Sequence, residues 1–366
     1  MADAMPNAHA IAYYLPQYHP FPENDEHWGT GFTEWANVVR AKRLFPGHDQ
    51  PHLPTDLGFY DLRVPEVRAQ QRDLALEAGI SAFAVYHYWF EGRRLMHRPV
   101  DEMFADPVHP VKNLLCWANG SWTLEWRGRE NVTTIEQTYS ETDDWKHSEL
   151  LAERFICNER YFTHEGRPVF LVYEPYALPE RARMVRILRE VCGAHGVELL
   201  VGGCVAFNDS KDVRELGLDF EVRWAPDWML IREAFDPRVQ RILSLQSRFL
   251  SKRWPRFRHN DAFSYQRVID AHLASTQPAW PTCESAFPSW DNTARRSFGD
   301  AVIVTDPSPA EFTRWLRALR DRLRPTDPPF VFINAWNEWA EGCHLEPDET
   351  WGHAWLDACR EVFTAL

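Results

Sequence analysis

The sequence predicts an α/β fold, a single (β/α)8 barrel of the TIM type, from three observations. Eight short apolar runs occur along the 366 residues, each followed by a helical pattern or a long loop. The runs are apolar almost throughout, as expected for parallel strands buried on both faces. Polar residues cluster where the runs end, which is where barrel enzymes carry their chemistry. The alternative fold is an open, doubly wound sheet.

The predicted strands are short and rich in β-branched and aromatic residues. They span 10–16 (AIAYYLP), 81–90 (SAFAVYHYWF), 112–119 (KNLLCWAN), 168–175 (PVFLVYEP), 197–204 (VELLVGGC), 218–226 (LDFEVRWAP), 279–287 (AWPTCESAF) and 329–336 (PFVFINAW). The seventh run carries the weakest pattern. The eighth strand is predicted to end near Trp336.

Helical patterns occupy much of the chain between these runs. The predicted helices span 64–79, 141–161, 178–196, 308–325 and 352–366. Ser308 and Pro309 begin the fourth helix and Pro325 follows it, while Gly196 ends the third.

The segment 17–63, between the first strand and the first helix, is rich in proline, glycine and aromatic residues. This composition is typical of a loop rather than of a second domain, so we predict a long loop that folds over the barrel mouth. No linker, repeat or low-complexity segment is visible elsewhere. The sequence therefore predicts one domain, residues 1–366.

Composition excludes several classes of protein. A formal net charge of −13 argues against a nucleic-acid partner. No stretch approaches the ~20 apolar residues of a membrane span, and the N-terminal MADAMPNAHA has neither the basic nor the apolar region of a signal peptide. The seven cysteines are odd in number and form no CxxC, which indicates free thiols in a reducing compartment. We therefore expect a cytoplasmic location.

The aromatic content is high, at 14% with 17 tryptophans. Aromatic faces bind the C–H surfaces of sugars well, because they combine large apolar area with a polar handle. An aromatic-rich core would give the same composition, so this observation does not decide between the two.

The stretch NAWNEWAEG (334–342) places Glu338 and Glu341 three residues apart among tryptophans, just past the eighth predicted strand. Carboxylates are costly to bury. Two of them at one cavity can serve as general acid and general base in glycosidic-bond chemistry, one donating a proton while the other accepts one. Tryptophan walls would keep one acid protonated. The alternative is a structural pair that is hydrogen-bonded to backbone at the barrel rim.

Other strand ends supply further candidate residues. YHYWFEG (86–92) places His87 and Glu91 near an end of the second strand, where His87 either binds sugar or is a satisfied core histidine. YLPQYHP (13–19) and GFTEWANV (31–38) contribute Gln17 and Glu34 to what looks like a pocket wall, with packing alone as the alternative.

We predict neither a metal site nor a cofactor. His9, His19 and His27 lack ligand spacing, and Cys343-His344 has no partner nearby in the sequence. The chain contains no GxGxxG, no Walker A motif and no DxD pair. Ordinary nucleotide-sugar chemistry is therefore disfavoured.

The segment 236–259 is basic, with interleaved Leu, Ile, Phe and Trp, in an otherwise acidic chain. Such a segment can contact an anionic membrane or a lipid-linked glycan. A simpler interpretation is an amphipathic helix on the barrel exterior, with arginine stems covering apolar surface, and this is the one we favour.

Several long stretches in order resemble one known family nearly end to end. They are YLPQYHP, WGTGFTEWANV, GHDQPHLPTDLGFYDLR, GISAFAVYHYWFEGRRL, CWAN, IEQTYS, WDNTARR and NAWNEWAEGCHLEP. The chain resembles the WbsX family, which is related to glycoside hydrolase family 99. That resemblance implies a TIM barrel linked to O-antigen and lipopolysaccharide biosynthesis, often labelled a glycosyltransferase, with an oligosaccharide or polysaccharide as substrate.

The resemblance to family 99 also implies roles for the two glutamates. Members of that family are retaining endo-α-mannosidases. Glu338 would deprotonate the sugar 2-hydroxyl, which then attacks the anomeric carbon, and Glu341 would act as general acid and then as general base.

Side chains in these motifs and at the strand ends are the candidate substrate-binding residues. They are Tyr14, Gln17, Tyr18, Trp35, His87, Tyr88, Trp117, Asn119, Glu174, Trp290, Asp291, Asn292, Trp336, Asn337 and Glu346. One stretch departs from the family pattern. Where many relatives read WANENWTRRWDG, this chain reads WANGSWTLEWRG. Gly120 and Ser121 replace a Glu-Asn pair and Arg127 replaces an acid, so any sugar contact that relatives make through those side chains is not expected here.

Two classes of function remain. The first is an enzyme that acts on glycosidic bonds through Glu338 and Glu341, as a hydrolase or as a transferase that builds the polysaccharide. The second is a non-catalytic glycan-binding scaffold. A scaffold has no need of a desolvated acid pair, so the sequence favours the enzyme.

Overall fold

The computed structural model describes residues 8–123, 133–180, 183–205, 211–251, 260–296 and 299–364. Within these ranges eight parallel strands close a barrel: His9–Tyr14, Ile80–Phe90, Lys112–Trp117, Arg167–Val172, Leu200–Val205, Phe220–Arg223, Thr282–Ala286 and Phe330–Ile333. Each pairs with the next, and the first also pairs with the eighth, beginning at His9 opposite Phe330. The ring is thus closed, which confirms the predicted barrel and excludes the open sheet.

Aromatic side chains fill the barrel interior. The ring of Tyr13 lies 4.6 Å from that of Trp224, 5.6 Å from Phe332 and 5.9 Å from Tyr86. These residues come from four different strands or strand ends, so one layer of rings ties opposite walls together. A barrel of eight strands has an interior just wide enough for side chains to fill.

Helices surround the barrel and connect its strands. They span Pro22–Trp28, Trp35–Val38, Pro65–Glu77, His97–Ala105, Glu141–Leu151, Arg183–Ala194, Pro237–Ser251, Tyr265–Ala274, Pro309–Asp321 and Ala354–Phe363. Ser308 caps the helix that follows it by accepting a hydrogen bond from the Glu311 N–H, as its position before a proline predicts. The five predicted helices are all present, whereas four others were missed: Pro22–Trp28, Trp35–Val38, His97–Ala105 and Tyr265–Ala274.

The eighth strand ends at Ile333, earlier than the predicted end near Trp336. Trp336 still bonds to the first strand, through its backbone N–H and the Tyr13 carbonyl at 2.7 Å. The chain then turns back, so that Asn337–Glu338 pairs with Cys343–His344. This short hairpin places the two candidate catalytic glutamates.

The long loop after the first strand folds over the barrel mouth, as predicted. Its Trp35 ring lies 4.7 Å from Tyr18 and 5.4 Å from Trp339 of the eighth-strand hairpin. The loop therefore packs directly against the stretch that carries Glu338 and Glu341.

Three further expectations are addressed by the fold. All seven cysteines are free and six of them are buried, which agrees with the prediction of free thiols. No helix in the described part of the chain is long and apolar enough to cross a membrane. The basic segment forms the helix Pro237–Ser251, as in the amphipathic interpretation, and residues 252–259 lie outside the described ranges.

Candidate active site

The NEWAEG stretch forms a hairpin tip at the carboxyl end of the barrel. A single 3-10 turn, Trp339–Glu341, connects the two short paired segments. Gly342 has a φ of +56°, and a Cβ there would approach the Asp291 backbone oxygen to 2.9 Å. Only glycine fits both constraints, so the glycine that closes the motif has a local structural cause.

The hairpin is fixed to the first strand through Asn337. Its side chain accepts a hydrogen bond from the Leu15 N–H at 2.7 Å and donates one to the Leu15 carbonyl at 3.0 Å. The Tyr18 hydroxyl donates to the Asn337 carbonyl at 2.7 Å. These bonds hold the backbone on the N-terminal side of Glu338.

The loop after the seventh strand holds the other side of the hairpin. The Asp291 N–H donates to the Glu341 carbonyl at 2.7 Å, and the Ser289 hydroxyl donates to the Gly342 carbonyl at 2.6 Å. Both glutamates therefore project from a backbone that is braced at each end.

One buried arginine joins both glutamates. Arg295 donates to Glu341 Oε1 at 2.8 Å through Nη1 and to Glu338 Oε2 at 2.9 Å through Nη2. The same Nη2 lies 3.3 Å from Glu34 Oε2, on the loop over the barrel mouth. Burial disfavours the charge on Arg295, but the three carboxylates outweigh it and raise its pKa well above the ordinary value.

Burial raises the pKa of Glu338 to about 8, and the neighbouring Glu341 and Glu34 add to the rise while Arg295 opposes it. Three carboxyl groups share one guanidinium, so the cluster retains a proton on Glu338 near neutral pH. The family resemblance assigns the role of base to this residue, so it must lose its proton before it can act. The Glu341 side chain is 21% exposed and reaches the open cavity.

The glutamates lie in the wall of a cavity of about 400 Å³. Aromatic rings and polar groups line it together, in the manner of a sugar-binding site. The aromatic wall consists of Tyr86, Tyr88, Trp122, Tyr173, Trp224, Trp228 and Trp290. The other lining side chains include Glu174, Asn292, Arg295, Arg296, Asn334, Glu338 and Glu341.

Six of the residues predicted from sequence line this cavity. They are Tyr88, Glu174, Trp290, Asn292, Glu338 and Glu341. They come from the ends of the second, fourth and eighth strands and from the loop after the seventh. Burial raises the pKa of Glu174, a further carboxyl in the cavity wall.

His87 does not line the cavity. Side chains alternate along a strand, so Tyr86 and Tyr88 point into the cavity while His87 points outward. There His87 Nε2 lies 2.9 Å from His147 Nε2, beneath the helix Glu141–Leu151. This is the contact expected of a satisfied core histidine, the alternative interpretation of His87.

Three other predicted residues bond to protein groups behind the cavity wall. Glu346 accepts hydrogen bonds from Tyr60, Gln71 and Trp339 and is fully buried. Asn119 bonds to both the N–H and the carbonyl of Glu174 and so positions that residue. Asp291 binds His48 at 2.5 Å, and this contact holds its pKa below the ordinary value although burial opposes it.

The remaining predicted residues are also buried outside the cavity lining, because their side chains are used for packing and bracing. They are Tyr14, Gln17, Tyr18, Trp35, Trp117, Trp336 and Asn337. Tyr18 and Asn337 fix the hairpin, and Trp35 donates to the Tyr60 carbonyl at 2.8 Å. Their role in this structure is to shape the site from behind.

Sequence reasoning missed several lining residues. Tyr86, Tyr173 and Trp224 each sit one or two positions from a residue or strand end that was singled out, and strand alternation could have found them. Arg295 lies in the quoted stretch WDNTARR, but nothing in its spacing indicates contact with Glu338. Only the folded chain brings them together.

The stretch WANGSW (117–122), which departs from the family pattern, contributes to the cavity wall. A Cβ on Gly120 would stand 3.0 Å from Glu174 Oε1, so the absence of a side chain leaves room for the Glu174 carboxyl. Gly120 and Ser121 both line the cavity. Arg127 lies outside the described residues.

Comparisons with known proteins agree with this architecture. The family described as glycosyltransferase WbsX matches residues 10–359. Two curated relatives, both named uncharacterized protein WxcX and from Xanthomonas campestris pv. campestris strains, are 39% identical over 357 residues. The alignment covers 97% of this chain and 49% of each relative, so the chain spans about half the length of the curated relatives it matches.

Solved structures share the fold at low sequence identity. A glycoside hydrolase family 99 endo-α-mannosidase from Bacteroides thetaiotaomicron, in complex with bis-tris propane, superposes with a TM-score of 0.56 and 14% identity, covering 98% of this chain and 99% of that one. A structure described as a glycoside hydrolase-like protein gives 0.61 and 14% identity, covering 99% and 97%. Likeness at this level of identity shows the fold alone.

Proposed function

This chain belongs to the glycosyltransferase WbsX family, a family of carbohydrate-active enzymes, and we propose that it cleaves or forms glycosidic bonds with retention through Glu338 and Glu341. The observation that carries the proposal is the cluster in which both carboxyls contact one buried arginine in the wall of an aromatic cavity. Most glycosidases act through two enzyme carboxyl groups that flank the scissile glycosidic bond.

We assign the general base to Glu338. A carboxylate whose pKa is about 8 is a stronger base than an ordinary glutamate. Such a base can remove the proton of a sugar 2-hydroxyl, and the freed oxygen then attacks the anomeric carbon as the glycosidic bond breaks. Burial, which raises the pKa of Glu338, therefore also gives it its basicity.

We assign the general acid to Glu341. Its side chain is partly exposed to the cavity, so it can take up a proton from solvent and deliver it to the departing oxygen. In the second half of the reaction it removes a proton from water or from a sugar hydroxyl, which opens the intermediate. Arg295 contacts both carboxyls, so its positive charge stabilises whichever of them is ionised at each step.

Water as the acceptor would make the enzyme an endo-α-mannosidase-like hydrolase, and a sugar hydroxyl would make it a transferase. The family description, glycosyltransferase WbsX, favours the transferase as a second candidate. A non-catalytic scaffold is less favoured, because two buried carboxyls and a partly exposed one around a single buried arginine are costly to maintain without a chemical use.

We further propose that the substrate is an oligosaccharide of bacterial surface-polysaccharide (O-antigen) metabolism and that the reaction occurs in the cytoplasm. Family membership and the aromatic cavity support the first part. The free, mostly buried cysteines support the second.

The test is to incubate the purified protein with a panel of α-mannosides and lipid-linked oligosaccharides and to identify products by mass spectrometry. The anomeric form of each new product is read by NMR before it mutarotates. We expect a shortened or an extended oligosaccharide with retained configuration. An inverted product would contradict the assigned chemistry, and binding without turnover across the panel would favour the scaffold.

A further inference from the structure

We propose that His52, His344 and Asp348 form a binding site for one divalent transition-metal ion of the Zn²⁺ type, which stabilises the active-site hairpin. One nitrogen from each histidine and one carboxylate oxygen all lie within 4.8 Å of one another, and all three residues are buried. Ligand atoms around a tetrahedral zinc ion are about 3–4 Å apart. A small inward movement of the side chains would supply three of the four tetrahedral ligands.

The tautomer of His344 is fixed by its second hydrogen bond. His344 Nδ1 lies 2.9 Å from the Glu346 carbonyl, which can only accept, so Nδ1 carries the proton. Nε2 of the neutral ring then directs a lone pair toward His52 and Asp348. This arrangement, with the far ring nitrogen bonded to a carbonyl, is the usual one for metal-binding histidines.

The other two groups face the same point. His52 Nδ1 lies 2.9 Å from His344 Nε2, and Asp348 Oδ2 lies 3.6 Å from it, too far for a hydrogen bond. The second oxygen of Asp348 accepts from the N–H groups of Thr350 and Trp351, which orients the carboxylate. A cation between these atoms would bring the carboxylate oxygen into contact.

A route to the site and a choice of metal follow from its surroundings. His52 lines a cavity of about 270 Å³ that is separate from the glutamate pair, so an ion can enter from that side. Two imidazoles and one carboxylate favour Zn²⁺ over Mg²⁺ or Ca²⁺, which prefer oxygen ligands.

The position of the site indicates a structural role. None of the three residues lines the active-site cavity. The His344 ring stacks on Trp339 with centroids 3.7 Å apart, and Trp339 begins the turn that ends at Glu341. A bound ion would therefore hold the hairpin from behind, while the glutamates do the chemistry.

The experiment measures metal content and melting temperature. Wild-type protein is purified without a histidine tag, its metal content is measured by mass spectrometry, and the chelated protein is titrated with Zn²⁺. We expect one ion per chain, and a rise in melting temperature on the order of 5 °C when Zn²⁺ is restored.

Two variants decide the result. His52→Asn keeps a hydrogen-bond donor toward His344 but offers a poor ligand, so its affinity for Zn²⁺ should fall at least about 100-fold. His147→Asn is the matched control, because it alters a buried histidine pair with the same 2.9 Å separation and should bind Zn²⁺ as the wild type does. Absence of Zn²⁺ binding in the wild type, or equal binding in His52→Asn, would overturn the proposal and leave a hydrogen-bonded histidine pair beside Asp348. Either result is independent of whether the glutamates cleave glycosides.

Discussion

At the scale of single residues, the contact between Arg295 and three carboxyl groups governs the chemistry we propose. Burial raises the pKa of Glu338 by more than the Arg295 guanidinium lowers it. The net value of about 8 is therefore a balance between two opposing effects. That balance places the titration of the proposed base close to working pH, where a general base is most effective.

The first prediction concerns the pH dependence of kcat/KM. Glu338 must lose its proton to act as a base, and its pKa is about 8. Because Glu341 must also be protonated when it acts as the acid, the test uses an activated aryl leaving group, which departs without protonation. With that substrate kcat/KM should rise as pH increases through about 8 and stay high above it. A decline above pH 8 with that substrate would contradict the role of Glu338 as the base.

Protein stability gives an independent check on the same group. The folded-state pKa of Glu338 lies above its unfolded value of about 4.3. Protonated Glu338 therefore contributes its full share to protein stability below pH 4.3, and this contribution is lost as pH rises through 8. Glu338→Gln should gain melting temperature relative to the wild type between pH 5 and pH 8.5. The exposed control Glu77→Gln should show no such trend.

The second prediction separates the two glutamates by leaving group. Glu341→Gln should lose about 10²–10⁴-fold in kcat on natural leaving groups. It should lose far less with an activated aryl leaving group, which departs without protonation. Glu338→Gln should be impaired on both kinds of substrate, because attack by the 2-hydroxyl is blocked. Equal losses for both variants on both substrates would contradict the division of roles.

The third prediction concerns Arg295→Met. Removal of the guanidinium leaves Glu34, Glu338 and Glu341 without their shared cation, so the pKa of Glu338 should rise further. The rising limb of the pH profile should move to higher pH, and the free energy of unfolding should fall by about 3–5 kcal/mol. Arg296→Met is the control, since Arg296 lines the same cavity. A pH profile that moves equally in both variants would argue against a specific role for Arg295.

Sequence reasoning found the glutamates and part of the cavity wall but not the groups that tune them. Glu338 and Glu341 are visible because both lie in one short motif. Arg295 and Glu34 reach the motif from loops that are distant in sequence, and no local pattern encodes that contact. His87 lies behind the cavity wall for a different reason, because the prediction located the strand end without assigning its alternating faces.

At the scale of elements, the hairpin Asn337–His344 is the unit that presents both glutamates. It is shorter than any element that periodicity can detect, so its turn was not predicted. The eight strands and five helices were predicted, since each carries an apolar run or a helical period several residues long. Boundaries were less accurate where irregular backbone takes over, as at Ile333.

The fourth prediction tests this hairpin through its glycine. Gly342→Ala places a methyl group 2.9 Å from the Asp291 backbone oxygen, in addition to the cost of a positive φ. Gly352→Ala has a similar φ of +53° but nothing within 4 Å of the new Cβ. The first variant should lose about 1–3 kcal/mol more free energy of unfolding than the second. It should also lose activity, because Glu341 precedes Gly342.

Comparable stability and activity in the two glycine variants would contradict this prediction. It would show that the hairpin can move away from Asp291, in the loop after the seventh strand, without loss of function. The bond between the Asp291 N–H and the Glu341 carbonyl would then not be needed to position Glu341.

At the scale of the whole molecule, a closed barrel holds the site at the carboxyl ends of its strands, and the long loop covers one side. Both features were predictable, because they depend on the order of strands and on composition. The single-domain assignment for residues 1–366 stays a prediction. The curated relatives extend to about twice this length, so their further portion is a natural place to look for additional determinants of substrate choice.

The most direct test of the central claim is turnover by the double variant Glu338→Gln, Glu341→Gln. Its fold is first checked by circular dichroism and by its melting temperature. Product formation is then measured with the oligosaccharide that the wild type converts. We predict loss of turnover with oligosaccharide binding retained, because the aromatic cavity wall is unchanged. A stably folded double variant that turns over this substrate at the wild-type rate would contradict the paired-glutamate mechanism.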